Sequence, residues 1–171
     1  MTERKFIQYG LVDSDTTYSY FKVINDIEPK KVLDIGMVLK RAGAVSRDIE
    51  SIDVDENILL DGVDLLPDVD AGVYSTIYDH IIKAEDFLSE INSTSHSEGY
   101  DLIVAYDMVN LFDSAVLEDQ KVIKNIASYI RSSSSYLLTD SITYDMINNY
   151  LSECQWRTVE SGDKVSYLAI F

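Results

Sequence analysis

Short apolar runs alternate with stretches of helical periodicity along most of the chain. The clearest run, from Tyr100 to Tyr106, precedes the clearest helical stretch, from Ser114 to Tyr129, where apolar residues recur near a 3.6-residue spacing. The run from Lys31 to Ile35 is of the same kind. Strands buried on both faces are apolar throughout, and their alternation with helices is typical of a parallel sheet that helices cover on both faces. We therefore predict an α/β fold with a Rossmann-like, mostly parallel sheet.

The remaining elements follow from the same patterns. We predict further strands at residues 58–64, 80–83 and 136–139, and further helices at 16–27, 38–49, 70–78, 86–92 and 143–151. The acidic stretch 50–57 separates the helix at 38–49 from the strand at 58–64, and the serines of 132–135 indicate a turn. Two strand-like runs, 156–160 and 164–171, close the chain and predict a C-terminal antiparallel β-hairpin at one edge of the sheet.

The length of 171 residues suits one domain, which we divide into an N-terminal helical segment (1–29) and a Rossmann-like core (30–171). Cys154 is the only cysteine, so the chain can form no internal disulfide, and the sequence contains no zinc-ligand spacing. We expect no metal site. Neither a signal peptide nor an apolar run of membrane-spanning length is evident, so we expect a cytoplasmic protein.

The charge balance is strongly acidic. Thirty acidic residues against fourteen basic ones give a formal net charge of −16. Such a surface repels nucleic-acid phosphates and anionic membranes, because binding to either depends on Lys and Arg. We therefore expect no nucleic-acid or membrane partner. The charge favours solubility, and it would also attract a basic partner or a cationic ligand.

The candidate site residues lie just after the predicted strands. In an open α/β sheet, ligands bind beyond the carboxyl ends of the strands, near the point where the strand order reverses. The residues at that edge are Asp34 and Gly36, Asp64, Glu85 and Asp86, and Tyr106 and Asp107.

This series resembles the class I S-adenosylmethionine (SAM) dependent methyltransferases over nearly the whole chain. Residues 32–36, Val-Leu-Asp-Ile-Gly, resemble the first strand and glycine loop of that family, and residues 100–109 resemble its fourth strand. The resemblance implies that SAM is the cofactor, that Asp64 accepts from the ribose hydroxyls and that Glu85 or Asp86 meets the adenine amino group. A carboxylate can accept hydrogen bonds from all of these donors. It implies no catalytic base; Asp107 is the nearest candidate.

The glycine loop departs from the family pattern. Val38 and Lys40 stand where glycines would let the backbone approach the ligand, and Val109-Asn110 replaces an acid–histidine pair. The stretch between the first two strands is long, so Asp53 or Asp55 would be the ribose acid if the second strand lay elsewhere.

Two functions follow from these features. The first is a SAM-binding methyltransferase that acts on a small molecule. The second is a scaffold or regulatory subunit that has kept the fold, lost the cofactor and binds a protein partner. A nicotinamide-dependent oxidoreductase ranks below both, because the chain lacks the G-x-G-x-x-G signature.

Overall fold

A computed structural model describes residues 4–8, 22–36, 50–54, 58–64, 79–91, 99–106, 108, 118–161 and 164–171. In these segments the strands are β1 (Arg4–Gln8), β2 (Lys31–Ile35), β3 (Glu50–Val54), β4 (Leu59–Asp64), β5 (His80–Lys83), β6 (Tyr100–Ala105), β7 (Ser134–Thr139), β8 (Gln155–Ser161) and β9 (Lys164–Ile170). The helices are α1 (Ala84–Ile91), α2 (Gln120–Ser133) and α3 (Ser141–Ile147), and a 3-10 turn (Asn148–Tyr150) follows α3. Residues 22–27 are also helical.

Seven strands form one sheet in the order β5-β4-β2-β6-β7-β9-β8. Strands β5, β4, β2, β6 and β7 are parallel to one another, and β9 is antiparallel to both of its neighbours, β7 and β8. Strand β8 therefore runs in the same direction as β5, β4, β2, β6 and β7. The predicted mostly parallel α/β sheet with a C-terminal antiparallel hairpin is confirmed, but the hairpin does not add two antiparallel strands at the edge. Its second strand lies between β7 and β8.

Alternate residues of the strands pack against opposite faces of this sheet. In β2, Leu33 and Ile35 belong to a core cluster with the buried sides of α1, α2 and α3, whereas Val32 packs with Val23 and Ile24 of the helical segment 22–27. On the first face, the Phe87 ring of α1 meets the Tyr129 ring of α2 edge-on, with centroids 5.3 Å apart. Helices thus cover both faces, and every residue of β2 after Lys31 is buried.

Capping residues explain where the helices begin. Helix α2 begins at Gln120, not at the predicted Ser114, because the extended Asp119 accepts a hydrogen bond from the Lys121 amide as its N-cap. It continues to Ser133, and β7 begins at the next residue, so the predicted turn at 132–135 is wrong. Asp140 caps α3 in the same way by accepting from the Thr143 amide at 2.9 Å.

A second, two-stranded sheet was not predicted. Strands β1 and β3 pair in antiparallel register, with Arg4 opposite Val54 and Gln8 opposite Glu50. The sequence of β3, Glu-Ser-Ile-Asp-Val, has three polar residues among five, and this polar composition obscured the strand. Strand β1 lies in the N-terminal segment that we expected to be helical. The predicted helices at 38–49 and 70–78 lie outside the described residues.

A partly buried polar cluster lies at the amino end of the large sheet. Asp61 of β4 accepts a hydrogen bond from the Tyr100 hydroxyl at 3.0 Å, and its other carboxylate oxygen is 2.9 Å from Nδ1 of His80. Tyr100 and His80 are the first residues of β6 and β5, so the cluster links three strands at the edge opposite their carboxyl ends. The Lys31 ammonium lies 4.9 Å from the centre of the Tyr100 ring. No helix among the described segments is long and apolar enough to cross a membrane.

Candidate cofactor site

The strand order reverses between β2 and β6. From β2 the chain adds β4 and β5 on one side of the sheet, and it then returns to add β6 and β7 on the other side. In folds of this kind the crevice at the carboxyl ends of the two central strands binds the ligand. Here β2 ends at Ile35, which is paired with Ala105 of β6 and with Val63 of β4. Gly36, Asp64 and Tyr106, at the ends of these three strands, therefore lie at one edge.

Gly36 has the geometry of a tight turn at the end of β2. Its φ angle is +94°, which side-chain-bearing residues rarely adopt, and its amide donates to the Val63 carbonyl at 2.9 Å. A Cβ atom at this position would lie 2.8 Å from the carbonyl oxygen of Tyr106. The backbones of β2 and β6 thus approach so closely that only glycine fits at the start of the predicted cofactor loop.

Asp34 lies in β2, two residues before this glycine, and is fully buried. It is opposite Gly62 of β4 and Val104 of β6, on the face of the sheet that also carries Val32 and Tyr106. Its carboxylate is one of the charges that disfavour ionisation of the Tyr106 hydroxyl. A carboxylate this deeply buried is costly unless other groups of the protein interact with it, and Asp34 is not without such an interaction.

Asp64 is the last residue of β4, as the sequence predicts. Because Ile35 pairs with Val63, the main chain of Asp64 lies beside Gly36 at the carboxyl edge. The alternative ribose acid Asp53 lies in β3 of the two-stranded sheet, opposite Lys5, and Asp55 lies outside the described residues. The second strand of the large sheet therefore lies where the sequence analysis placed it, and the ribose role of Asp64 stays a prediction.

Glu85 and Asp86 lie in the first turn of α1, directly after β5. Both are exposed. Carboxylates in this position are favoured by the helix dipole, so the helix alone accounts for acids here. Their exposure also leaves them able to accept a hydrogen bond from a ligand amino group, and the adenine role stays a prediction.

Tyr106 turns its side chain into the protein. Its hydroxyl donates to Oγ of Ser166 in β9 at 2.9 Å, and only 3% of the residue is exposed. Burial raises the pKa of this tyrosine well above 10, with further contributions from the Asp140 and Asp34 carboxylates, against an opposing effect of the Ser166 hydrogen bond. The Tyr106 carbonyl, not the hydroxyl, faces Gly36. Asp107 lies outside the described residues.

The sequence analysis missed three polar residues near this edge: Thr139, Asp140 and Ser166. The Thr139 hydroxyl donates to the Ala105 carbonyl at 2.7 Å, which joins the ends of β7 and β6. The pattern Asp140-Ser-Ile-Thr143 is a helix-start signal that could have drawn attention to Asp140. No sequence signal indicates Ser166, because its position depends on the insertion of β9 beside β7.

The described residues also form a groove away from the predicted cofactor residues. This groove of about 490 Å³ lies between residues 22–26 and 157–160, where Arg157 pairs with Asp26 at 3.3 Å. None of the predicted cofactor residues lines it. Among the described residues no group of three or more His, Cys, Asp or Glu side chains is arranged to hold a metal ion.

The buried tyrosine predicts a stability loss in alkali. In the unfolded chain a tyrosine ionises near pH 10, whereas folded Tyr106 keeps its proton to higher pH, so the folded state binds more protons above pH 10. Its contribution is complete below that pH and is lost as the pH rises. We expect the free energy of unfolding to fall by about 1 kcal/mol more between about pH 9 and pH 11 in the wild type than in Tyr106→Phe. Urea titrations at each pH measure this difference, and parallel curves for the two proteins would contradict it.

The comparisons with known proteins identify the fold. No known protein-family signature matches the sequence, and no curated protein matches it significantly. Solved structures do match. The N-methyltransferase NodS from Bradyrhizobium japonicum superposes with a TM-score of 0.53 at 16% identity, covering 90% of each chain. The O-methyltransferase from Bacillus cereus in complex with S-adenosylhomocysteine (SAH) gives 0.53 at 10% identity, over 95% of this chain and 84% of that one. The O-methyltransferase TomG from Streptomyces achromogenes, in complex with SAM and involved in tomaymycin synthesis, gives 0.54 at 10% identity, over 93% and 80%.

The chain has the fold of the class I SAM-dependent methyltransferases, as the sequence resemblance predicts.

Proposed function

We propose that this chain binds SAM at the carboxyl edge of β2, β4 and β6 and transfers a methyl group to a small molecule. The observation that carries the proposal is Gly36, whose positive φ and contact with the Tyr106 carbonyl form a tight turn at the strand-order reversal of a methyltransferase fold. The two fold neighbours determined with SAM or SAH support the choice of cofactor.

The polar groups at this edge suit that cofactor. Vicinal ribose hydroxyls and an adenine amino group are donors, and the carboxylates of Asp64, at the end of β4, and of Glu85 and Asp86, after β5, would accept from them. When bound, SAM supplies an electrophilic methyl group carried on a sulfonium. The net charge of −16 tolerates such a cation and opposes a nucleic-acid substrate.

The role left to the protein is mainly positioning. Methyl transfer is a displacement that holding the two reactants in line accelerates strongly, and a general base is optional. We assign no catalytic residue. Val38 and Lys40 stand after Gly36 where glycines would be expected. This departure supports the second hypothesis, a scaffold that binds a protein partner.

Titration calorimetry with SAH tests the proposal. We expect micromolar binding to the wild type. Replacing Asp64 with alanine should weaken it by about tenfold or more, because both ribose hydroxyls lose a charged acceptor. Asp101→Ala is the matched control: it removes an equally negative side chain at the amino end of the same sheet, where Asp101 accepts from the Lys30 and Lys31 amides.

The outcomes separate the hypotheses. If wild-type protein gives neither heat nor a melting shift at millimolar SAH, the cofactor proposal is wrong and the scaffold hypothesis is favoured. A bound ligand at a hundred times its dissociation constant would otherwise add about 2.7 kcal/mol to stability. If SAH binds and Asp64→Ala behaves like Asp101→Ala, the ribose role of Asp64 is wrong while the cofactor assignment stands.

A further inference from the structure

Tyr106 is held by its side chain at the point where the strand pairing ends. The pairing of β6 with both neighbours stops at Ala105, opposite Ile35 of β2 and Thr139 of β7. Tyr106 comes one residue later. Its ring is buried in the core cluster with Leu138 and Leu168, which gives its main chain a second attachment to the protein.

The hydroxyl group makes this attachment specific. It donates to Ser166 Oγ at 2.9 Å, and Ser166 is itself only 3% exposed. Ser166 belongs to β9, which lies two strands away from β6, beyond β7. A single hydrogen bond therefore spans β7 and ties the carboxyl end of β6 to the reversed strand.

The main chain of Tyr106 in turn bounds the space at Gly36. The Tyr106 carbonyl oxygen occupies the place next to the Gly36 α-carbon, where an added Cβ would come within 2.8 Å. A shift of Tyr106 along or away from the edge would change the distance between the ends of β2 and β6. That distance sets the width of the crevice at which we propose that the cofactor binds.

We infer that Tyr106 is a positioning residue, whose hydrogen bond to Ser166 fixes the crevice between Gly36 and the end of β6 for cofactor binding. The choice of cofactor as the ligand rests on the proposed function, whereas the claim that the hydrogen bond fixes the crevice does not. It gives Tyr106 a role that needs no contact between its side chain and the cofactor.

Two tyrosine-to-phenylalanine variants test the inference as a matched pair. Tyr106→Phe removes the hydroxyl bonded to Ser166 at the carboxyl edge, and Tyr100→Phe removes the hydroxyl bonded to Asp61 at the amino edge. Both delete one oxygen from a buried ring, and Tyr100→Phe should lower stability at least as much as Tyr106→Phe, because the Tyr100 hydroxyl donates to a carboxylate and the Tyr106 hydroxyl to a neutral serine. We expect SAH affinity to fall about fivefold in Tyr106→Phe and to change by less than about twofold in Tyr100→Phe. Ser166→Ala should match Tyr106→Phe, and the double variant should lose no more than either single one.

Hydrogen exchange in the free protein supplies a measurement that needs no ligand. The Gly36 amide is bonded to the Val63 carbonyl, so its exchange rate reports local opening of the crevice. We expect faster exchange at Gly36 in Tyr106→Phe than in Tyr100→Phe. If wild-type protein does not bind SAH, the cofactor proposal fails, and this comparison alone decides the positioning role. Equal Gly36 exchange in the two variants, or equal losses of SAH affinity, would overturn it.

Discussion

Replacing Gly36 with alanine should lower the free energy of unfolding by about 3 kcal/mol. A φ angle of +94° strains a residue that carries a Cβ atom, which costs about 1–2 kcal/mol. The new methyl group would also lie 2.8 Å from the Tyr106 carbonyl oxygen, and that neighbour is backbone held in the core, so it cannot move aside cheaply. Overpacking of this kind typically adds 1–3 kcal/mol.

Gly99 provides the control for this prediction. A Cβ atom there would meet the Ser133 carbonyl at 3.9 Å, an ordinary van der Waals contact. Gly99→Ala should therefore change stability by no more than about 0.5 kcal/mol. Urea unfolding of both variants measures the difference. Similar values for the two would mean that the turn after β2 relaxes, and the argument that this position demands glycine would then fail.

The central strands were predictable because their burial dictates their composition. Strand β2 has the predicted bounds, Lys31–Ile35, and β6, Tyr100–Ala105, begins at the predicted residue and ends one residue before the predicted Tyr106. Strands in the middle of a covered sheet are apolar on both faces, and that pattern is unusual enough in sequence to place them. The positions of Gly36 and Asp64 at the strand ends followed directly.

The reversed strand was not predictable in the same way. The hairpin of β8 and β9 could be read from its pattern, and β9 is the more apolar of the two strands, but the hairpin pattern does not say which of them joins β7. Contacts between distant segments, such as the pairing of Leu138 with Leu168, decide that β9 joins β7. The Tyr106–Ser166 hydrogen bond depends on that choice, so sequence reasoning assigned Tyr106 to the cofactor without its internal partner.

A buried carboxylate needs hydrogen-bond donors, and Asp61 shows how much such hydrogen bonds contribute to the stability of the fold. Its side chain is 10% exposed, and its two oxygens contact the Tyr100 hydroxyl and the His80 ring. The His80 side chain is 76% exposed, so water can replace Asp61 as its partner. Tyr100 is only 8% exposed, and its hydroxyl would lose its Asp61 acceptor on replacement of that residue.

We therefore expect Asp61→Leu, which keeps the branched shape of the side chain, to lower the free energy of unfolding by about 2–3 kcal/mol. The main cause would be the Tyr100 hydroxyl, left buried without an acceptor. His80→Ala should cost less than about 1 kcal/mol, because the imidazole is largely solvated. Chemical denaturation of both variants measures these values.

The double variant Asp61→Leu/Tyr100→Phe separates this cause from a loss of packing. Replacing both buried polar partners with apolar groups of similar shape can be nearly neutral, whereas removing one leaves the other unsatisfied. The double variant should consequently be more stable than Asp61→Leu by about 1 kcal/mol or more. If the two losses simply add, the Tyr100 hydroxyl must find another acceptor when Asp61 is absent. The carboxylate would then contribute through its own charge and shape, and its bond to Tyr100 would not be what holds the amino ends of β4 and β6 together.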